Sequence, residues 1–483
     1  MTEKRDKSLL SRMIDGDRLS FSEQLLMIVQ LSIPAILAQI SNIIMQYIDA
    51  SMVGRLGAAD SASIGLVSST TWLFGGLCTA AATGFTVKIA HRCGAKELSS
   101  ARNLMKLGLI CTVIFGVLLL ILGSALSPFL PHLLGGEESI CRGASQYFLI
   151  FALSLPFYQL NCLCAGALQC SGNMKLPGLL EVVMCVLDVV FNALLIFPGA
   201  THTVFGLKVF IPGAGLGIVG AALGTALAEA VVALFMLWYL LFRSRTLKLR
   251  KDEKLSCPKG ELLSSLKIAL PVAAEQTVTC TAYIMFTRIV APLGTAAVAA
   301  NAFSITAESL CYMPGYGIGA AAVTIIGQAL GAKRIALTKR LGRMTVWLGV
   351  IVMTLGGVLM YFSAPAMLAV LTPDPEIQAM GVAVLRIEAF AEPMYAASIV
   401  ATGVFRGAGD TGVPTAINFI SMWLVRIPLA YLLSLSLGLS GVWIAMAAEL
   451  CLRGLLFIIL FETRFCKRAD SGRYLMLLSD KQS

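Results

Sequence analysis

Hydrophobic positions in this chain come in blocks rather than in stripes. Runs of about 20 or more apolar residues recur along its length, broken only by single polar side chains and separated by short polar or glycine-rich joints. As a helix, such a run crosses roughly 30 Å of hydrocarbon. Lipid offers an unpaired backbone no hydrogen-bond partner, so each run is expected to be helical. Twelve spans are predicted, at 25–50, 62–87, 107–128, 145–167, 177–198 and 215–242, then 263–290, 296–329, 344–364, 383–405, 413–434 and 440–461. The pattern defines an all-α polytopic membrane protein.

The first block carries a frame that returns. Pro34, Gln39, Leu56 and Gly57 meet Pro271, Gln276, Leu293 and Gly294 at a shift of 237 residues. At the same shift Gly94-Ala95-Lys96 falls on Gly331-Ala332-Lys333, Pro156 on Pro393, Gly166 on Gly403, Gly172 on Gly409 and Pro177 on Pro414. A register held so long marks a tandem duplication of a six-helix unit. Because six is even, the two copies share one orientation and are related by a pseudo-two-fold axis along the membrane normal. The expected organisation is a cytoplasmic N-terminal segment 1–24, a first lobe 25–242, a charged linker 243–262, a second lobe 263–461 and a tail 462–483. Between helices five and six, about 16 residues lack a counterpart. This stretch, GATHTVFGLKVFIPGAG, alternates apolar positions with glycines and predicts a small extracellular hairpin.

Composition agrees with the blocks: 57% of residues are hydrophobic, 13% are charged, and mean hydropathy is +0.83. The net charge of +10 is a topology signal rather than a nucleic-acid signal. The N-terminus, the even-numbered loops and the tail hold 30 of the 37 Lys and Arg residues, which predicts that both termini are cytoplasmic; the expected location is the plasma membrane. No signal peptide is expected, since residues 1–22 lack an apolar core. The thirteen cysteines lie mostly inside apolar segments and read as small buried side chains. Gly215-Leu-Gly217-Ile-Val-Gly220 opens an apolar helix without a preceding strand, so it reads as helix packing, not dinucleotide binding. A Gly-Lys dipeptide of the phosphate-loop type is absent, and His91, His132 and His202 lie far apart. No catalytic group, metal site, organic cofactor or ATPase domain is expected.

The chemistry lies in the acids within the spans: Asp49, Glu181, Asp188, Glu229, Glu275, Glu308, Glu388, Glu392 and Glu449. Each ionised carboxylate at mid-bilayer costs roughly 2.5–3.5 kcal/mol, and only Arg288, Arg386, Arg426 and Arg453 share the spans. Glu449 precedes Arg453 by four residues and reads as a structural ion pair, joined by Arg426. Asp188 and Asn192 stand one turn apart on helix five. With Asp49 on helix one they would supply carboxylate and amide oxygens for a proton or a hard cation; the alternative for Asp49 is an end cap paired to Arg55. Glu275 with Gln276, Glu308 and Glu392 fall near the midplane of helices seven, eight and ten. They read either as a site for an organic cation or proton, or as a structural network.

These residues resemble the multidrug and toxic compound extrusion (MATE) transporters over about residues 22–465. Pro34, Asp49-Ala-Ser-Met-Val-Gly54 and Leu56-Gly57 look like that family's first-helix signature, and the two Gly-Ala-Lys turns like its basic loops. Cys170-Ser-Gly172-Asn-Met-Lys-Leu-Pro177 and Arg406-Gly-Ala-Gly409-Asp-Thr-Gly-Val-Pro414 resemble its RGxGDTKxP turn. The resemblance implies two lobes in a V, alternating access, and export of amphipathic, often cationic, drugs in exchange for Na⁺ or H⁺. It places the cation site on Asp49, Asp188 and Asn192, with Asp and Asn exchanged on helix five relative to many members. The glutamate that the NorM-type branch carries after its helix-seven proline is replaced by Cys280, with Glu275 one turn earlier. The expected partners are a small amphipathic molecule and the bilayer, and the chain is expected to be a monomer. The competing readings are a lipid-linked oligosaccharide flippase, which would need basic residues in the central cavity, and a membrane enzyme, which would need a nucleophile–base or metal constellation.

Overall fold

The computed structural model describes residues 8–204, 207–250, 253, 259–472 and 474. Parts of the expected N-terminal segment (1–7), linker (251–252, 254–258) and tail (473, 475–483) lie outside the described residues. A short helix, α1 (Leu9–Asp15), stands where the sequence predicts only a polar segment. Ser8 caps its start, Gly16 ends it at φ 97°, and Leu10 and Met13 bury its one apolar face.

The first lobe follows as α2 (Phe21–Gly54), α3 (Ala58–Gly94), α4 (Leu98–Leu126), a single turn α5 (Leu130–Leu133), α6 (Glu138–Cys170), α7 (Lys175–Ile196) and α8 (Ile218–Trp238). Ser20 and Glu23 form a reciprocal capping box at the start of α2. Between α7 and α8 the unmatched stretch forms an antiparallel hairpin, β1 (Pro198–Val204) and β2 (Leu207–Ala214), as its alternation predicts. The second lobe contains α9 (Lys259–Val290), α10 (Thr295–Gly331), α11 (Ile335–Leu371), α12 (Pro375–Ala389), α13 (Glu392–Gly407), α14 (Gly412–Ile420) and α15 (Ile427–Leu460), closed by α16 (Cys466–Asp470).

Among the described residues nine helices are long and apolar enough to span a bilayer, the last running from 412 to 470. The remaining spans depart from straight rods for local reasons. Glu275, Gln276, Thr277, Thr279 and Thr281 dilute the hydropathy of α9. The tenth span, predicted as one run over 383–405, is broken between α12 and α13. Pro393 has no N–H to give, and its ring excludes a continuous helix through the carbonyl four residues earlier. The eleventh passes through a π-helical turn at Ser421–Arg426. It then reverses into the twelfth at Gly438, whose φ of 58° and ψ of −137° only glycine adopts readily.

The duplication is visible in the backbone. Gly217, the counterpart of Gly438, has φ 57° and ψ −129°. Gly57 and Gly294 have φ 137° and 103°, Gly172 and Gly409 95° and 80°, and the non-glycines Lys96 and Lys333 62° and 58°. Two six-helix lobes thus share one set of turns. Large apolar side chains such as Ile121, Leu122, Leu355 and Phe362 face outward, as a lipid-contacting surface requires, while small residues fill the helix crossings.

The lobes join at the end of the bundle that holds α1, the linker and α16, here termed the basic end. The seal there is symmetric. His91 Nε2 donates to the Gly407 carbonyl at 2.7 Å, and its counterpart Gln328 Nε2 donates to the Cys170 carbonyl at 2.7 Å. Donor and acceptor positions are both related by the 237-residue shift. Beside them α3 and α10 cross so closely that a Cβ on Gly94 would overlap the Gln328 carbonyl, and one on Gly331 the His91 carbonyl. Toward mid-depth Gly317 packs on the Ile36 backbone and Gly76 on Gln276. The ion pairs of Lys88 and Arg92 with Glu261 complete the seal.

Arg102 anchors the linker. Its guanidinium holds the Glu253 carboxylate from Nε at 2.8 Å and keeps that carboxyl below its usual range. A depressed carboxyl stabilises above its unfolded value, about 4.3 for glutamate, and the contribution disappears as pH falls through the lower folded value. A spin label at Lys248 is therefore expected to gain mobility as pH drops below about 4.3, and Glu253→Gln to show that mobility already at neutral pH. Equal mobility of the two proteins at every pH would contradict the anchor.

Candidate functional site

Three groups of polar side chains are buried at bilayer depth. The first lies in the half of the first lobe far from the basic end. Asp49 comes from α2, and Asp188 and Asn192 from successive turns of α7. The Asn192 amide Nδ2 donates to Asp49 Oδ1 at 2.8 Å and to Asp188 Oδ2 at 3.0 Å. Asp188 and Asn192 are fully buried, and Asp188 Oδ1 and Asn192 Oδ1 have no hydrogen-bond partner. Gly224 of α8 makes the space, since a Cβ there would run into Asn192 Oδ1. Among the described residues no Lys, Arg or His pairs with either aspartate, and Asp49 does not reach Arg55. One turn deeper toward the basic end, Asn161 Nδ2 donates to Glu229 Oε1 at 2.8 Å, so Glu229 is held by a neutral amide as well.

The second group lines a cavity of about 430 Å³ between the lobes. Its walls are built in pairs from the two copies: Gln39 with Gln276, Thr79 with Tyr316, Gln169 with Arg406. Charge enters from the second copy alone. Glu275, whose counterpart is Ala38, pairs with Arg406 Nη2 at 2.9 Å and accepts from Asn418 Nδ2 at 2.7 Å. Arg453 reaches the cavity over the Tyr395 ring, 5.5 Å from its centroid, but is tied to Glu449. Arg426 holds the other oxygen of Glu449 at 2.7 Å, the structural cluster predicted from spacing. Glutamines, threonines and tyrosines make up most of the remaining polar wall.

The third group sits inside the second lobe. Glu308 of α10, Glu388 of α12 and Glu392 of α13 are buried, and both oxygens of Glu388 and of Glu392 lack hydrogen-bond partners. This corrects one expectation: Glu275, Glu308 and Glu392 do not converge. Glu275 and Gln276 face the inter-lobe cavity, whereas Glu308 and Glu392 lie behind Tyr395, and Glu388 is the third acid within electrostatic reach. Glu388 also turns away from Arg386, whose guanidinium lies over Tyr361 at 5.3 Å. Two residues named in the sequence, Arg406 and Glu388, stand at these groups although the sequence does not assign them there. Arg406 belongs to a glycine-rich turn motif and so reads as loop chemistry. Glu388 closes α12 and Glu392 opens α13, so their proximity crosses a helix break that no spacing within one helix encodes.

A duplicated, two-lobed helical bundle with a polar cavity on the pseudo-symmetry axis and buried acids in each lobe is the architecture of a membrane transporter. The sequence profile of the MatE family matches residues 34–194 and 271–432, one segment in each copy. The chain belongs to the MatE family of membrane transporters and is not an enzyme. Among curated proteins it is 26% identical over 440 residues to the probable multidrug resistance protein NorM of Thermotoga maritima, covering 90% of this chain and 91% of that one. A Pseudomonas aeruginosa protein of the same name is 26% identical over 447 residues, covering 90% and 88%. The fold matches an outward-facing multidrug resistance MATE family transporter at a TM-score of 0.86, with 20% identity and 96% and 98% of the two chains covered. It matches the Vibrio cholerae MATE transporter VcmN at 0.84, with 21% identity and 94% and 99% covered.

Proposed function

We propose that this protein is a secondary active antiporter of the plasma membrane, exporting amphipathic, cationic drugs or metabolites in exchange for H⁺ or Na⁺ by alternating access. The observation that carries the reading is the Asp49–Asn192–Asp188 cluster. Two carboxylates, Asp188 buried and Asp49 half-buried, share one amide and have no basic partner among the described residues. A proton or a small cation relieves such a site, and an arginine or lysine would have occupied it permanently. Turned over, the Asn192 amide presents an oxygen ligand beside the carboxylates. Relatives named as probable multidrug resistance proteins support the substrate class.

The basic end is the cytoplasmic end in this reading. The inter-lobe contacts described above lie in that half of the bundle, whereas Trp72 and Tyr283 in the opposite half are exposed. The conformation is then outward-facing, with the cavity open toward the side of discharge. Amide, hydroxyl and aromatic walls suit amphipathic molecules of varied shape. The flippase alternative loses its footing in the cavity, because Arg406 and Arg453 already have carboxylate partners and form no free cationic cradle for pyrophosphate. The protein acts as a monomer, without an ATPase domain, and the coupling ion is its only inorganic partner. The test is ethidium export from proteoliposomes under an imposed Na⁺ or pH gradient. One of the two gradients is expected to drive ethidium against its own gradient. Export that persists with both collapsed would sink the proposal.

A further inference from the structure

The basic end carries a second built cavity, away from the transport path. About 560 Å³ opens between the start of α2 and the start of α11. No side chain caps α11, and its first intrahelical bond runs from the Thr338 amide to the Arg334 carbonyl. The amides of Ile335, Ala336 and Leu337 at the mouth are therefore open donors at the positive end of a long helix. Arg18, Lys333 and Arg340 add three cationic side chains, none with a carboxylate partner among the described residues. Their neighbours Lys339 and Arg343 do have such partners, Asp470 and Glu462. Arg340 lies over the exposed Phe21 ring, 5.6 Å from its centroid.

A second, independent feature points to an occupant. Gln24 lines the cavity and is only 2% exposed; its Nε2 donates to the Leu19 carbonyl at 2.8 Å, and its Oε1 has no partner. A buried acceptor is thus aimed at a place that otherwise offers only donors and positive charge. The equivalent corner of the other copy shows what is missing. There the counterpart of Gln24 is Glu261, which ion-pairs with Lys88 and Arg92, and the counterparts of Arg334 and Arg340 are Glu97 and Asn103. One corner supplies its own anion. The other is cationic and, among the described residues, lacks one.

The cavity lies at headgroup depth, since Leu25 and Leu26 of α2 and Trp347 of α11 are exposed just beyond it on the lipid-facing surface. The geometry points to a binding site for an anionic phospholipid headgroup of the phosphatidylglycerol type. Arg18, Lys333, Arg340 and the α11 amides hold the phosphodiester, and a headgroup hydroxyl donates to Gln24 Oε1. Phosphatidylethanolamine fits less well, because its ammonium would sit among three cations, and phosphatidylcholine has no donor for Gln24. Arg334 donates to the Met13 and Asp17 carbonyls beside this site, so the lipid sits where the N-terminal segment is fastened to the second lobe.

The test is native mass spectrometry of the full chain in detergent, offered phosphatidylglycerol, phosphatidylcholine or phosphatidylmethanol, the last carrying the same charge without a hydroxyl. The wild-type protein is expected to retain phosphatidylglycerol at least about tenfold better than phosphatidylcholine, and the Arg18→Gln/Arg340→Gln pair to lose about that factor. The charge-matched pair Arg243→Gln/Arg245→Gln, on another exposed corner, is expected to lose none. Gln24→Leu should lower phosphatidylglycerol retention to the phosphatidylmethanol level and leave phosphatidylmethanol unchanged. Equal retention of phosphatidylglycerol and phosphatidylcholine, equal losses in the two arginine pairs, or an equal effect of Gln24→Leu on both anionic lipids would overturn the assignment. Displacement of phosphatidylglycerol by millimolar inorganic phosphate would also overturn it, in favour of a free-phosphate site.

Discussion

Asp188→Asn is expected to abolish gradient-driven efflux while leaving drug binding and the folded helix content close to wild type. The side chain is buried with one oxygen satisfied by Asn192 and the other without a partner. An amide keeps its volume and its capacity to hydrogen-bond but cannot carry a proton or balance a cation. What disappears is the charge that ties ion movement to the change of access. At about 100 mV that charge is worth roughly 2.3 kcal/mol, or about a 50-fold concentration gradient. A neutral drug exported against one proton can use all of it; a monovalent cation exchanged for one proton gains nothing from the potential and depends on the pH difference. Ethidium efflux from energised vesicles, read beside equilibrium binding in detergent, separates the two losses. Unchanged efflux would move coupling to Glu308, Glu388 and Glu392, where four carboxylate oxygens also lack partners.

The second large effect is conformational. Gly331→Val places two methyl groups where even a Cβ overlaps the His91 carbonyl, at the symmetric crossing that closes the basic end. Overpacking of this kind costs about 2 kcal/mol, close to a 30-fold change in population. The cost falls only on the conformation in which α3 and α10 touch. The variant is therefore expected to favour the form open at the basic end, with spin labels at Ser99 and Arg464 moving apart and export slowing by an order of magnitude. Gly94→Val should act alike, because Gly94 meets the Gln328 carbonyl in the same way. An unchanged label distance in both variants would mean that the seal has slack in it.

Much of this fold is legible in the sequence because membrane spans must be long, apolar and helical, and because an ungapped duplication exposes its own joints. The left-handed turns at Lys96 and Lys333 fall on the Gly-Ala-Lys repeat, and the reversals at Gly217 and Gly438 on the glycine pair that aligns at a shift of 221. Pro393 announces a break in the tenth span, but not that α12 and α13 become separate helices. Seven residues of α1 with one apolar face are too short a signal to distinguish from a polar leader. At the site, Asp188 and Asn192 are legible because they share a helix face, and Asp49 joined them only through the resemblance and its similar depth. The pairing of Glu275 with Arg406 was not legible. It depends on how α9 meets the end of α13, and no periodicity within either helix encodes that meeting. Glu308 and Glu392 were grouped with Glu275 by depth alone, and depth does not say which side of Tyr395 a carboxylate occupies.

Drug-evoked ion flux tests the central claim most directly. Proteoliposomes containing the wild-type protein, with a pH-sensitive dye or radioactive sodium reporting on the lumen, would be given a drug gradient and no imposed ion gradient. Coupled antiport predicts that drug movement drives H⁺ or Na⁺ in the opposite direction, that the flux saturates with drug, and that Asp188→Asn removes it. Drug movement with no accompanying flux of either ion, or an ion flux that Asp188→Asn leaves intact, would contradict coupling through the first-lobe acids.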